Sequence, residues 1–200
     1  MTNQEFAQLL ALRHEMSGVE FKGPGTRSDR PFFAQIVRVM LGMANRRDGG
    51  TVVIGVEDVG TTLSPVGLTD EQGITWRYDD VADGISAYAD PNVSFDLEIK
   101  LHESKQYVVL EISEFEDIPV LCKRSYQSIL RNGACYVRTR RKPETSEIPA
   151  QAEMRDLLDL ATEKAFRKFI AQAQRAGMNS FGTPQPDDED LFDQQLGDMR

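Results

Sequence analysis

The hydrophobic positions of this chain change period several times, and each change marks an element. Thr2-Asn-Gln-Glu5 has the pattern of a helix-capping box, and Phe6, Leu9, Leu10 and Leu12 follow at helical spacing. Residues 19–22, Val-Glu-Phe-Lys, alternate apolar and charged as a half-buried strand does, and Gly23-Pro24-Gly25 breaks them off. Pro31 suits a first helical turn. Phe33, Ile36, Val37, Met40, Leu41 and Ala44 then predict an amphipathic helix ending near Asn45, before the turn signal Asp48-Gly49-Gly50.

Residues 51–56 form a continuous apolar run, the pattern of a strand covered on both faces. Strand, helix and strand over some 40 residues predict a right-handed crossover that puts 19–22 and 51–56 in one sheet. Residues 79–89 predict a helix stopped by Asp90-Pro91. Residues 93–101 and 107–112 alternate and predict a hairpin across His102–Gln106. Two further strands are expected at 119–123 and 134–139, and a last helix over 151–176. Its apolar side is expected to hold Met154, Leu157, Leu158, Ala161, Ala165, Phe169 and Ile170. Beyond Gly177 the composition turns to Gly, Pro, Asp and Gln, which predicts an acidic, flexible tail. The expected organisation is a domain over 1–150, a helix over 151–177 and the tail over 178–200.

Composition is ordinary for a globular protein, at 40% hydrophobic and 28% charged residues. No apolar run has the length of a membrane span, and the first residues lack a basic-then-apolar leader, so a cytoplasmic protein is expected. Cys122 and Cys135 read as reduced thiols. His14 and His102 lie in no triad-like setting, and Gly23-Pro24-Gly25-Thr26 lacks the Gly-Lys-Ser/Thr ending of a phosphate loop. The net charge of −9 is uneven: residues 187–200 carry six acids against Arg200, which leaves −5 there and −4 elsewhere. Residues 122–142 hold seven basic side chains and no acid.

Two constellations carry candidate chemistry. Glu20 and Lys22 share one face of their strand, Glu15 lies just before it, and Asp58 lies just past the run at 51–56. Three carboxylates meeting at one point call for a hard divalent cation, Mg²⁺ or Mn²⁺, with Lys22 placed to stabilise charge developing on phosphate. On residues alone, a solvated strand face explains the same pattern more often. The second constellation is Arg138, Arg140, Arg141 and Lys142 with Arg46 and Arg47, whose forks suit phosphate oxygens and have Tyr126 and Tyr136 nearby for stacking. Helix-end and strand-end charges account for it equally well.

Taken together, the segments 15–22, 43–50 (Met-Ala-Asn-Arg-Arg-Asp-Gly-Gly), 51–60 (Thr-Val-Val-Ile-Gly-Val-Glu-Asp-Val-Gly) and Tyr136-Val137-Arg138-Thr139 resemble the Schlafen-type AlbA-like domain, in order over about residues 5–160. The resemblance implies a mixed α/β (α+β) fold, with a mixed β-sheet, packed helices and a C-terminal helix. It also implies a metal-dependent endoribonuclease acting on structured, tRNA-like RNA, with Glu15, Glu20 and Asp58 as the acids. The family's animal members carry a zinc site and a second lobe, and this chain has neither set of residues. The partners expected from the resemblance are RNA, or DNA, a second copy of the chain or a larger homo-oligomer, and a ring-forming ATPase in antiphage defence. A non-catalytic nucleic-acid-binding regulatory module, or an adaptor subunit of an ATPase complex, is the alternative.

Overall fold

The computed structural model describes residues 1–12, 15–60, 62–139 and 142–178. Helix α1 (Asn3–Leu10) opens on the predicted capping box, with the Thr2 hydroxyl accepting from the Glu5 N–H and the Glu5 carboxylate accepting from the Thr2 N–H. Strand β1 (Val19–Lys22) leads through a loop into α2 (Arg30–Ala44), which is capped by Asp29 and has Pro31 in its first turn. Strand β2 (Gly50–Ile54) returns parallel to β1 and directly beside it, with Val19 opposite Thr51 and Lys22 opposite Ile54.

The apolar run at 51–56 is not one strand. Gly55 takes a φ of 112°, which other residues rarely adopt, and its N–H donates to the Lys22 carbonyl. Past this bend, β3 (Val56–Asp58) leaves the sheet and pairs with β4 (Leu63–Pro65) in a separate two-stranded ribbon.

A short helix, α3 (Asp70–Gly73), precedes α4 (Tyr78–Ser86), which ends three residues before the expected stop because Ala89–Asp90 (β5) pairs with β8 (Leu121–Cys122). Between them β6 (Phe95–His102) and β7 (Lys105–Ile112) form the expected hairpin. Its turn is tighter than 102–106: only Glu103 and Ser104 are unpaired, both at positive φ, as a two-residue primed turn requires. Finally β9 (Tyr136–Arg138) and β10 (Thr145–Glu147) make a second ribbon, and α5 (Gln151–Arg175) closes the described chain.

The main sheet has the order β1-β2-β7-β6, parallel between β1 and β2 and antiparallel elsewhere, so the fold is mixed α+β. Alternation sends Val52 and Ile54 to one face, where α2 packs, and Val53 to the other, where Phe6 of α1 meets Tyr107 with ring centroids 5.5 Å apart. Phe21 lies on the α1 side, which leaves Glu20 and Lys22 on the α2 side.

The family-like Ala44-Asn45 pair has a structural use. Buried Asn45 caps α2, donates from Nδ2 to the Val120 and Tyr136 carbonyls at 2.8 and 2.9 Å, and accepts the Val120 N–H at 2.7 Å.

Met1–Ala161 form one compact unit, which takes in the first turns of α5. There Leu157 and Leu160 are buried, while Met154 and Leu158 of the expected apolar side are exposed. In the second unit the rest of α5 carries a Glu163–Arg167 pair one turn apart. Among the described residues no helix is long and apolar enough to cross a membrane. His14 and residues 179–200, most of the acidic tail, lie outside the described residues.

Candidate functional site

Glu20 occupies the middle of β1, and its side chain is only 8% exposed. Both of its oxygens are bonded to cations. Oε1 accepts from Lys22 Nζ, two residues on along the same strand face, and Oε2 accepts from Arg138 Nη1 at 2.5 Å. Arg138 enters from β9, and its guanidinium is 1% exposed. Its other bonds run to Ser17 O at 3.2 Å, Pro143 O at 2.7 Å and Thr145 Oγ1 at 3.3 Å, and to the Met16 and Val19 carbonyls at 3.5 Å each. This arginine, read as a contact for a nucleic-acid backbone, is spent inside the protein.

Glu15 precedes β1 and turns its Oε1 back to accept the Phe21 N–H at 3.0 Å. Its carboxyl is held above its ordinary range, first because it is desolvated. The Phe21 bond opposes that shift, Glu20 adds to it, and Lys22 and Arg138 work against it. Glu15, Glu20 and Lys22 line one cavity of about 430 Å³, with Arg38 from α2 and Thr145 from β10 on the facing wall. Arg38 is a site residue that pattern reading passed over. Its only signal was a place off the apolar stripe of the second helix.

Asp58 is not in this cavity. It sits exposed at the end of β3, where its Oδ1 accepts the Gly60 N–H at 2.8 Å. The bend at Gly55 explains the separation. It is Glu57 that borders Gly23, next to Lys22, and alternation turns Asp58 to the opposite face of the ribbon. Among the described residues no three of His, Cys, Asp and Glu are placed to hold a metal ion. With Glu20 already neutralised by two cations and Asp58 apart, the three acids as arranged do not fit a Mg²⁺ or Mn²⁺ centre.

The second constellation is divided as well. Arg46 wraps its own turn, donating from Nη1 to the Arg47 and Gly49 carbonyls at 2.8 Å each and from Nη2 to Ser17 Oγ at 3.4 Å. Arg46 and Arg47 line a cavity of about 410 Å³ with Arg138, faced by Glu153, Asp156 and Asp159 of α5, so its field is of mixed sign. Lys142 is exposed, and Arg140 and Arg141 lie outside the described residues. Cys122 and Cys135 are free, and burial pushes their thiols up, Cys135 to about 11, so neither is a ready nucleophile.

The chain is similar in structure to the DIP2311 protein of Corynebacterium diphtheriae, at 15% identity and a TM-score of 0.49, over 72% of this chain and 25% of that one. It thus spans a quarter of that protein's length. It is also similar to the N-terminal domain of a RecG-related protein from Nitrosomonas europaea, at 18% identity and a TM-score of 0.46, over 64% of this chain and 86% of that one. No curated protein matches it. A family model described as Schlafen, AlbA_2 matches residues 15–146, a span that opens on Glu15 and takes in Glu20, Asn45, Asp58 and Arg138. That span covers most of the sequence, and the chain belongs to the Schlafen AlbA_2 family.

Proposed function

We propose that this chain is a nucleic-acid-binding module, with structured RNA its first candidate ligand. Family membership supports a role with nucleic acid. The observation that carries the non-catalytic reading is the state of Glu20, whose two oxygens are taken by Arg138 and Lys22. A metal ion bound here would stand beside both cations, and the negative charge that would attract it is already balanced by Lys22 and Arg138. The work of Glu20 is to hold two cations in place inside the fold.

A second reading is a divalent-metal-dependent endoribonuclease. It is favoured by one fact, that Glu15, Glu20 and Lys22 line a single cavity. It requires Arg138 to release Glu20 and the β3–β4 ribbon to bring Asp58 across, so it belongs to a rearranged state.

The test is incubation of the full chain with tRNA over a salt series, with and without Mn²⁺. Binding that weakens steeply with salt, with no cleavage product in either metal condition, is the expected result. Metal-dependent cleavage that disappears in Glu20→Gln and Asp58→Asn would overturn the first reading in favour of the second.

A further inference from the structure

A different cavity, of about 370 Å³, opens between the start of α2, the end of α4 and the loop after β8. Arg27, Arg30 and Arg124 line it, together with Tyr88, Tyr126 and Ser125, and no carboxylate does. Its volume is in the range of small-ligand clefts.

The walls are built to hold these groups. The Arg27 guanidinium lies 3.7 Å over the Phe33 ring and donates from Nε and Nη2 to the Asp80 carbonyl at 3.2 and 2.9 Å. Gly84 makes room for it, since a Cβ there would stand 2.4 Å from Arg27 Nη2 and 2.6 Å from the Phe33 ring. The Lys123 N–H donates to the Tyr88 carbonyl at 2.7 Å, which ties the loop carrying Arg124 to the end of α4. Tyr126 is set by its backbone pairing with Leu130. Asp80 acts electrostatically on Arg27 but does not line the cavity.

Three guanidiniums converging on one space carry more charge than a phosphodiester monoanion neutralises. A phosphate monoester, close to a dianion at neutral pH, matches them better and offers three oxygens to the forks of Arg30 and Arg124 and to the remaining Nη1 of Arg27. Two tyrosines beside it offer faces for a base or ribose. We infer that this cavity binds the terminal phosphate of a nucleotide, with the attached nucleoside against Tyr88 and Tyr126. The choice of a nucleotide rests on the nucleic-acid reading above; the choice of a phosphate monoester rests on the cavity alone. The group comes from a free nucleotide or from the 5′ end of a strand.

The experiment uses an eight-nucleotide single-stranded RNA labelled at its 3′ end, with either a 5′-phosphate or a 5′-hydroxyl, and AMP against adenosine as competitors. The full chain is expected to bind the 5′-phosphate strand about tenfold tighter than the 5′-hydroxyl strand. AMP, and not adenosine, should displace it. Arg30 and Arg124 are exposed, so the Arg30→Ala/Arg124→Ala variant should fold and lose the preference, binding the two strands with equal affinity. Equal affinity of the unsubstituted chain for the two strands, or a preference that survives in the variant, overturns the cavity assignment and leaves the nucleic-acid reading standing. Binding of AMP with neither strand bound supports the cavity, assigns it to free nucleotides and overturns the nucleic-acid reading. Failure to bind either strand or AMP overturns both.

Discussion

Arg138 and Glu20 stand 118 positions apart in the sequence and meet at 2.5 Å, both nearly excluded from solvent. This pair fastens the β9–β10 ribbon to β1 and fixes the electrostatics of the cavity between them. Glu20 answers two cations, so removing either partner leaves the remaining charge badly placed.

Arg138→Ala would leave Glu20 buried with Lys22 alone. A broken buried pair of this kind costs about 3–5 kcal/mol, whereas an apolar pair of similar volume restores much of it. Urea unfolding should therefore rank Arg138→Ala far below the unsubstituted chain, with Glu20→Leu/Arg138→Met well above the single variant. Equal stability of all three would show that the pair contributes nothing.

Asn45 supplies two donors and one acceptor to buried backbone, and aspartate cannot donate. Asn45→Asp would set carboxylate oxygens against the Val120 and Tyr136 carbonyls. A loss of at least about 2 kcal/mol is expected, since each stranded buried group costs about 1–3 kcal/mol. Denaturant midpoints give the measurement.

Glu15 yields a pH prediction. Its carboxyl titrates above its ordinary value of 4.5, so the folded state holds the proton more tightly than the unfolded chain does. The stability this confers is fully present below that ordinary value and is lost as pH rises through the folded one. Glu15→Gln keeps a carbonyl for the Phe21 N–H and never ionises. Its melting temperature should exceed that of the unsubstituted chain at pH 7, and the difference should close below about pH 4. A difference that grows on acidification contradicts the burial argument.

Two glycines at positive φ separate backbone strain from collision. Gly133 at 79° has open space where a Cβ would go, whereas at Gly49, at 64°, a Cβ would stand 1.9 Å from the Ile112 carbonyl oxygen. Gly133→Ala should cost about 1 kcal/mol and Gly49→Ala about 3 kcal/mol or more, because the latter must also push β7 away. Thermal melts of the two variants decide it.

Much of the fold was legible because its signals are local. The capping box at Thr2–Glu5, the stripe of α2, the crossover and the β6–β7 hairpin each rest on spacing and turn chemistry within a few residues. The candidate site was legible only in part. Strand alternation puts Glu20 and Lys22 on one face, and Glu15, from the turn before the strand, lines the same cavity. An unbroken apolar run, however, gives no sign that Gly55 bends the chain, and that bend is what sets Asp58 apart. Nor does a charged residue in an alternating strand announce a partner more than a hundred positions away, so nothing in the pattern joined Glu20, read as a metal-site acid, to Arg138, read as a backbone contact. The arginine cavity at Arg27, Arg30 and Arg124 was invisible for the same reason: three loops and helix ends meet only in the folded chain.

The hydrogen bonds of Glu15 and Arg138 also cover one edge of the main sheet. β1 is an outer strand of the sheet, with β2 on one side only. On its open side the Phe21 N–H is taken by Glu15, and the Arg138 guanidinium reaches the Ser17 and Val19 carbonyls. A bare outer strand is a template for extension and for aggregation, and here side chains occupy the groups an added strand would use. Self-assembly by sheet continuation at β1 must first strip those two residues away. The charged cluster that looked like a reaction centre thus also serves as a seal on this edge of the sheet.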